Sequence, residues 1–383
     1  MRTRFGLLTI FSFIFIIGLV LVLGGCQWYE ERYIPMHSPT AETKIFAITA
    51  TSEPTLDLAI AIPTFTQTPA PKPQPTTAPQ VIVPTLPQTT ATAPSLPVIE
   101  PRTRIAYVSS VDGNREVYLA DWDRSGAGQI YRLTEDPAED TLPSLSPDGW
   151  TVAFVSDRSG NRDIYLADLR TGGRYRLTYD LAEDSNPSWS PDGTKIAFQS
   201  DRDGNNEIFI IDVSCAERSD GCPEQVLRIT NNETDDLEPS WSPDGERIAF
   251  MSASEGNLEI FVMNVDGYGF RRMTYNSGVD GFPSWSPDGS MLAYHSEQQE
   301  NTDIYIVTLE RREEIRITTN PGDDMAPYWC GDSIVYMAAS QYGTFDIYII
   351  QVSGEGPQSD PFILALTATA AFDGFPSCIS SPR

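Results

Sequence analysis

From about residue 103 onward, short apolar runs alternate with polar turn clusters at a steady spacing. One unit shows the pattern. Trp189-Ser190 reads as a short strand, and Ser190-Pro191-Asp192-Gly193 as a turn, because proline presets φ and glycine tolerates positive φ. Ile196-Ala197-Phe198-Gln199-Ser200 is a second strand, Asp201-Arg202-Asp203-Gly204-Asn205-Asn206 a hairpin loop, and Glu207-Ile208-Phe209-Ile210-Ile211-Asp212 a third strand of β-branched and aromatic residues. A fourth follows at Val226–Thr230. The second strand of an equivalent unit begins at Ile105, Val152, Ile196, Ile248, Leu292 and Ile334. Four antiparallel strands in about 44 residues make one propeller blade, so the pattern predicts an all-β, six-bladed β-propeller over residues 101–383.

The units are tied to one phrase, Pro-Ser-Trp-Ser-Pro-Asp-Gly, unbroken at 187–193, 239–245 and 283–289, and present with Leu145 for Trp at 143–149. Eroded copies begin at Pro327 and Pro376. The first prolines are spaced by 44, 52, 44, 44 and 49 residues. The unit that starts at Ile105 has no phrase before it, and the phrase at Pro376 has no unit after it. These defects are complementary. Residues near 376–380 are therefore predicted to form the inner strand of the first blade and close the ring, removing the exposed sheet edges.

The succession Leu-Thr, then Asp, then Pro-Ser-Trp-Ser-Pro-Asp-Gly, then Ile-Ala-Phe, then acidic-Ile-Tyr resembles the TolB-type (WD40-like) β-propeller repeat over about 103–380. Two features depart from TolB itself. That protein has an α/β domain before its propeller and is soluble in the periplasm, whereas this chain has a Pro/Thr-rich segment and a lipoprotein-like leader.

That leader joins Arg2 and Arg4 to an apolar run from Phe5 to Leu23, then Gly24-Gly25-Cys26, the layout of a secretory signal. Its ending resembles a bacterial lipobox, which implies removal of residues 1–25 and lipidation of Cys26. The alternative is an uncleaved anchor, since the run would just span a bilayer. Either way the remainder is expected outside the cytoplasm, at the cell membrane, in the periplasm or on the cell surface. Residues 26–100 hold no plausible core. Eleven prolines fall between Pro54 and Pro97 among Thr, Ala and Gln, so the segment is expected to be a disordered or polyproline-like tether.

Charge narrows the partners. Lys and Arg total 26 against 53 Asp and Glu, a net of −27, which disfavours nucleic acid and anionic lipid surfaces and leaves the lipid on Cys26 as the one membrane contact. An envelope protein, a basic peptide or a divalent cation suits it better. A monomer is expected. Three positions recur in every unit. A Thr lies nine residues before the phrase Pro, an Asp lies three before it, and an acidic residue opens each third strand (Glu116, Asp163, Glu207, Glu259, Asp303, Asp346). The Asp series is Asp140, Asp184, Asp236, Asp280, Asp324 and Asp373. Placed in the loops that lead to the inner strands, these carboxylates would ring the channel mouth, joined by Asp112, Asp157, Asp201 and Asp203 from the hairpin loops. Such a ring could hold Ca²⁺ or a Lys/Arg-rich peptide. It could equally serve the scaffold by accepting backbone N–H groups. The acidic residues of the third strands and the Asp of each Ser-Pro-Asp-Gly read as structural.

No catalytic residue stands out. There is no G-x-S-x-G elbow, and the only histidines are His37 in the tether and His295 in a predicted strand. Cys215 and Cys222 flank a short polar loop and are expected to pair, while Cys330 and Cys378 are candidates for a second bridge. The reading favoured is a non-catalytic protein- or peptide-binding propeller displayed on a lipid anchor. The alternatives are a metal-dependent enzyme acting on glycan or peptide in the acidic channel, and a structural envelope protein.

Overall fold

A computed structural model describes residues 103–122, 128–217, 225–298, 301–340, 343–352 and 363–380, all within the compact unit Thr89–Arg383. The leader, Cys26, the tether and Cys222 lie outside the described residues.

Six four-stranded antiparallel sheets follow one another along the chain. Blade 2 is typical, with an inner strand Asp140–Leu145, a second strand Thr151–Ser156, a third Asp163–Asp168 and an outer strand Arg174–Arg176. Inner strands at Asp184–Trp189, Asp236–Trp241, Asp280–Trp285 and Asp324–Cys330 start blades 3 to 6. Blade 1 is assembled from both ends of the propeller. Asp373–Ser380 supplies its inner strand and pairs antiparallel with Thr103–Ser109, in register Ile105 to Cys378 and Ser109 to Asp373. The expected closure is thus present, and each inner strand touches the next around a complete cycle.

The core lies between blades. Ala153, Ile164 and Leu166 of blade 2 pack on Trp189, Ile196, Phe198 and Phe209 of blade 3, and equivalent clusters fill the other junctions. The phrase is scaffold at each step. Ser190 accepts the N–H of Gly193, whose φ of 71° is the left-handed conformation the turn needs. Asp192 Oδ1 accepts the Ser190 hydroxyl at 2.6 Å and the Thr194 N–H at 3.0 Å, and these bonds hold its carboxyl down at a pKa of about 2. The Trp189 indole donates to Ser144 O of blade 2, and the Trp285 indole to Ser240 O of blade 4, both at 3.0 Å. Serines of the phrase complete the seam, since Ser188 Oγ accepts the Trp241 N–H and Ser284 Oγ the Trp329 N–H.

Where the sequence reading began the inner strand at the tryptophan, the structure begins it at the aspartate. Pairing then lapses at the phrase proline, for example between Thr141 and Ser144, because proline has no N–H to give the ladder. The residue before each proline takes up the bulge with a positive φ of 49–55°, at Leu142, Asn186, Glu238, Phe282, Ala326 and Phe375.

Candidate functional site: the loop face of the propeller

One face of the ring collects the hairpin loops between second and third strands together with the loops that lead from each outer strand to the next inner strand. The six aspartates begin the inner strands at this face. The expectation that their carboxylates ring an open mouth is corrected: Asp140, Asp184, Asp236 and Asp280 are fully buried, as are Asp324 and Asp373 to within 1%. Starting the strand at the aspartate places it opposite the last residue of the second strand, as Asp140 opposite Ser156, and this tucks the carboxylate beneath its own hairpin loop.

Two solutions neutralise them. In blades 2 and 3 an arginine from the hairpin loop forks onto the carboxylate, with Arg158 Nη2 at 2.9 and 2.7 Å from the oxygens of Asp140 and Arg202 Nη2 at 2.8 and 2.9 Å from those of Asp184. There the residue four positions upstream is also acidic, and Asp136 shares Arg158 at 2.7 Å. In the other four blades the upstream residue is neutral and donates instead. Asn232 reaches Asp236 at 2.6 Å, Asn276 reaches Asp280 at 2.7 Å, Asn320 reaches Asp324 at 3.0 Å and Thr369 reaches Asp373 at 3.0 Å. Among the described residues no arginine forks onto these four. One oxygen each of Asp236, Asp324 and Asp373 is buried with no hydrogen-bond partner. Burial pushes these carboxyls up, to about 6 at Asp236 and Asp373 and about 7 at Asp280 and Asp324. Among the described residues no three His, Cys, Asp or Glu side chains are grouped to hold a metal ion.

The other recurring residues belong to the same scaffold. Glu116 is buried, takes Arg132 Nη2 at 2.9 Å and the Thr134 hydroxyl at 2.6 Å, while Thr134 Oγ1 accepts the Val117 N–H at 2.9 Å. Thr178, Thr230, Thr274, Thr318 and Thr367 accept the same backbone N–H in their own blades. Of the hairpin-loop aspartates, Asp157 and Asp201 accept the N–H groups of Glu139 and Glu183, and Asp112 and Asp203 pair with Arg132 and Arg228.

Sequence reasoning missed two sets of residues. Asn114, Asn161, Asn257 and Asn301, two positions before the third-strand acids of blades 1, 2, 4 and 5, donate to two backbone carbonyls of the following loop and clamp it. The constant spacing to the acid was the available signal. The second set is the acidity a partner would meet. Glu139, Glu183, Asp235 and Asp323 stand one residue before the buried aspartates and are exposed or half-buried. Each accepts a backbone N–H from a hairpin loop, at 2.9–3.3 Å, which fixes its place at the surface.

Inside this rim, Phe282 of blade 5 and Phe375 of blade 1 have ring centroids 5.8 Å apart, although blade 6 stands between their blades. Phe372 extends the cluster at 6.0 Å from Phe375. All three phenylalanines are half-buried. The opposite side is polar, where Gln199 Oε1 accepts from Asn186 Nδ2 and from the Glu238 N–H, both at 2.9 Å. Glu238 in turn takes the Phe282 N–H at 2.6 Å. His295 lies fully buried behind Phe282, and burial lowers its pKa to about 3, so it stays neutral across the physiological range.

Cys330 and Cys378 form a disulfide with Cα atoms 5.6 Å apart. Cys215 is buried with its sulfur 3.4 Å from Gln225 Oε1, and its expected pairing with Cys222 falls outside the described residues.

Residues 97–222 match the family described as the TolB beta propeller domain. No curated protein matches the chain. Among solved structures, TolB from Acinetobacter baumannii superposes with a TM-score of 0.59 at 23% identity, covering 73% of this chain and 67% of that one. A putative TolB from Agrobacterium tumefaciens gives 0.54 at 19% identity, over 71% and 90%. A chain of a nidogen/laminin complex gives 0.55 at 11% identity, over 72% and 97%, a likeness of fold alone. The domain is a six-bladed β-propeller, and over residues 97–222 it is similar to the TolB beta propeller domain.

Proposed function

We propose that the propeller is a non-catalytic module that binds a basic protein or peptide on its loop face. The observation that carries this reading is the rim of Glu139, Glu183, Asp235 and Asp323, held at the surface around the half-buried Phe282, Phe372 and Phe375. Carboxylates steer a Lys/Arg-rich segment to the mouth, and the rings offer an apolar contact once it has arrived. The buried aspartates support the loops that carry this rim.

The test is titration of an arginine-rich decapeptide into the full-length protein in detergent. Replacing the four rim acids by their amides keeps an oxygen for each backbone N–H but removes the charge. Affinity is expected to fall at least tenfold, about 1.4 kcal/mol, with the melting temperature nearly unchanged. Calcium and EDTA are expected to make no difference. An affinity indifferent to the four substitutions would remove the rim from the function.

Display at the cell envelope is part of the same proposal, with the lipid carried on Cys26 and residues 26–100 acting as tether. Cys26→Ala is expected to abolish incorporation of labelled palmitate and to move the protein from the membrane to the soluble fraction. Membrane association of the parent protein with no incorporation of label would favour an uncleaved anchor.

A further inference from the structure

The six outer strands can be aligned on the Thr that follows them. Three residues before that Thr stand Tyr131, Tyr175, Leu227, Arg271, Ile315 and Leu364. Blade 4 alone places an arginine at an otherwise apolar or aromatic position. A second departure lies in the neighbouring blade. In blade 2 the turn before the outer strand uses Gly172, with φ of 73° and its N–H donated to Asp168 O at 2.8 Å. Blade 5 builds the same turn, with the same bond from residue 312 to Thr308 O at 2.8 Å, but the residue is Arg312 at φ 57°. An arginine in a left-handed conformation is strained where glycine is not, and strain of this kind points to a side chain kept for its function.

These two departures come together at the rim between blades 4 and 5. Arg271 Nη2 donates to Leu309 O at 3.0 Å, in the turn that carries Arg311 and Arg312. Arg312 Nη1 donates to the Tyr275 hydroxyl at 2.6 Å, and its guanidinium lies 5.5 Å from the Tyr275 ring centroid. Arg272 covers the same ring at 4.7 Å, though its own charge goes to Glu255 and Glu259. Arg271, Arg311 and Arg312 are exposed, and among the described residues no ion pair joins them to a carboxylate, although Glu310 and Glu313 flank them in the turn. A protein with twice as many acids as bases here carries three exposed arginines without a carboxylate partner among the described residues.

We infer that Arg271, Arg311 and Arg312 form a binding site for a phosphate group on a soluble or polymeric ligand. Guanidinium forks match phosphate oxygens in bidentate geometry, and a tetrahedral dianion presents oxygens toward two blades at once. A carboxylate preference would already be met by the glutamates of the turn. The net charge of −27 repels an anionic bilayer as a whole, which leaves a discrete phosphate rather than a lipid surface. The site is separate from the acidic loop-face rim and stands whether or not that rim binds a peptide.

Tripolyphosphate, titrated calorimetrically into the full-length protein in detergent, is the probe. Arg271→Leu and Arg312→Gly each write in the residue another blade uses, so both variants are expected to fold, and Arg312→Gly to melt higher than the parent. Together they are expected to weaken tripolyphosphate at least tenfold. Unchanged affinity overturns the site. Equal, arginine-dependent binding of polyglutamate overturns the preference for phosphate. Arginine-dependent binding to phosphatidylglycerol/phosphatidylcholine vesicles with none to tripolyphosphate overturns the soluble source.

Discussion

Reducing the Cys330–Cys378 disulfide is expected to lower the melting temperature of the propeller by roughly 8 °C or more. The bridge closes a loop of 48 residues, for which chain entropy gives a contribution on the order of 4 kcal/mol. In a domain of this size 1 kcal/mol moves the melting point by about 2 °C or somewhat more. The bridge's position matters as much as its loop. Blade 1 is the only blade whose strands come from both ends of the propeller, so its inner strand Asp373–Ser380 is the one element no turn ties to its neighbour. In blades 3 and 5 the tryptophan at this point of the phrase reaches back to the preceding blade, Trp189 to Ser144 and Trp285 to Ser240. In blade 1 that position is Cys378, and the link back to blade 6 is covalent. Its partner Cys330 takes the place of the second Ser of the phrase. Cys330→Ser with Cys378→Ala should reproduce the effect of reductant, and amide exchange should show the lost protection concentrated at Ile105 and Val108, which face the terminal strand. A melting temperature insensitive to reductant would mean that the ring is closed by its hydrogen bonds and core alone.

The architecture was legible because a propeller repeats its own test. Six copies of one spacing fix the blade, and the displaced phrase at Pro376 reveals the closure. The disposition of the aspartates was not legible, and the reason is proline. A proline inside an apparent strand normally marks an edge or an end, so the inner strand was begun after it and the aspartate was left in the loop. The chain instead pairs on both sides of the proline and absorbs the interruption in a bulge at Leu142 and its equivalents. Five residues of extra strand are enough to bury six carboxylates. The acids at the surface escaped notice for a simpler reason. Only four blades carry one, with Val279 and Phe372 in the remaining two, so a search for positions shared by all six passes over them. At the blade 4–5 rim the useful signal was likewise a departure from the repeat, and it becomes visible only when the structure sets Arg271 beside the turn of Arg312.

Between pH 5 and pH 8 the propeller is expected to lose stability as pH rises, by roughly 10 °C in melting temperature. The sign follows from the four aspartates that have no arginine. Burial, the largest cause, raises Asp236 and Asp373 to about 6 and Asp280 and Asp324 to about 7, from 3.8 in the unfolded chain. Between those limits the folded state holds protons that the unfolded state has released, so the free energy of unfolding falls with pH. The stability is fully present below 3.8 and is lost as pH passes through 6 to 7. A shift of two units corresponds to about 2.7 kcal/mol for one group. The turn aspartates act oppositely. Hydrogen bonds from Ser190 and Thr194 lower Asp192 to about 2, and Asp148, Asp244 and Asp288 are lowered as well, so stability tied to them disappears only below 3.8. The maximum should therefore fall near pH 4–5. Substitution separates the two kinds of buried aspartate. Asp236→Asn and Asp324→Asn place the new amide where an oxygen has no partner, and should raise the melting temperature at pH 8 toward its value at pH 5. Asp184→Asn instead breaks the fork from Arg202 and should destabilise at every pH by about 1–3 kcal/mol. Melting curves at constant ionic strength decide the matter, because a melting temperature that rises from pH 5 to pH 8 would show that these carboxyls are ionised in the folded ring.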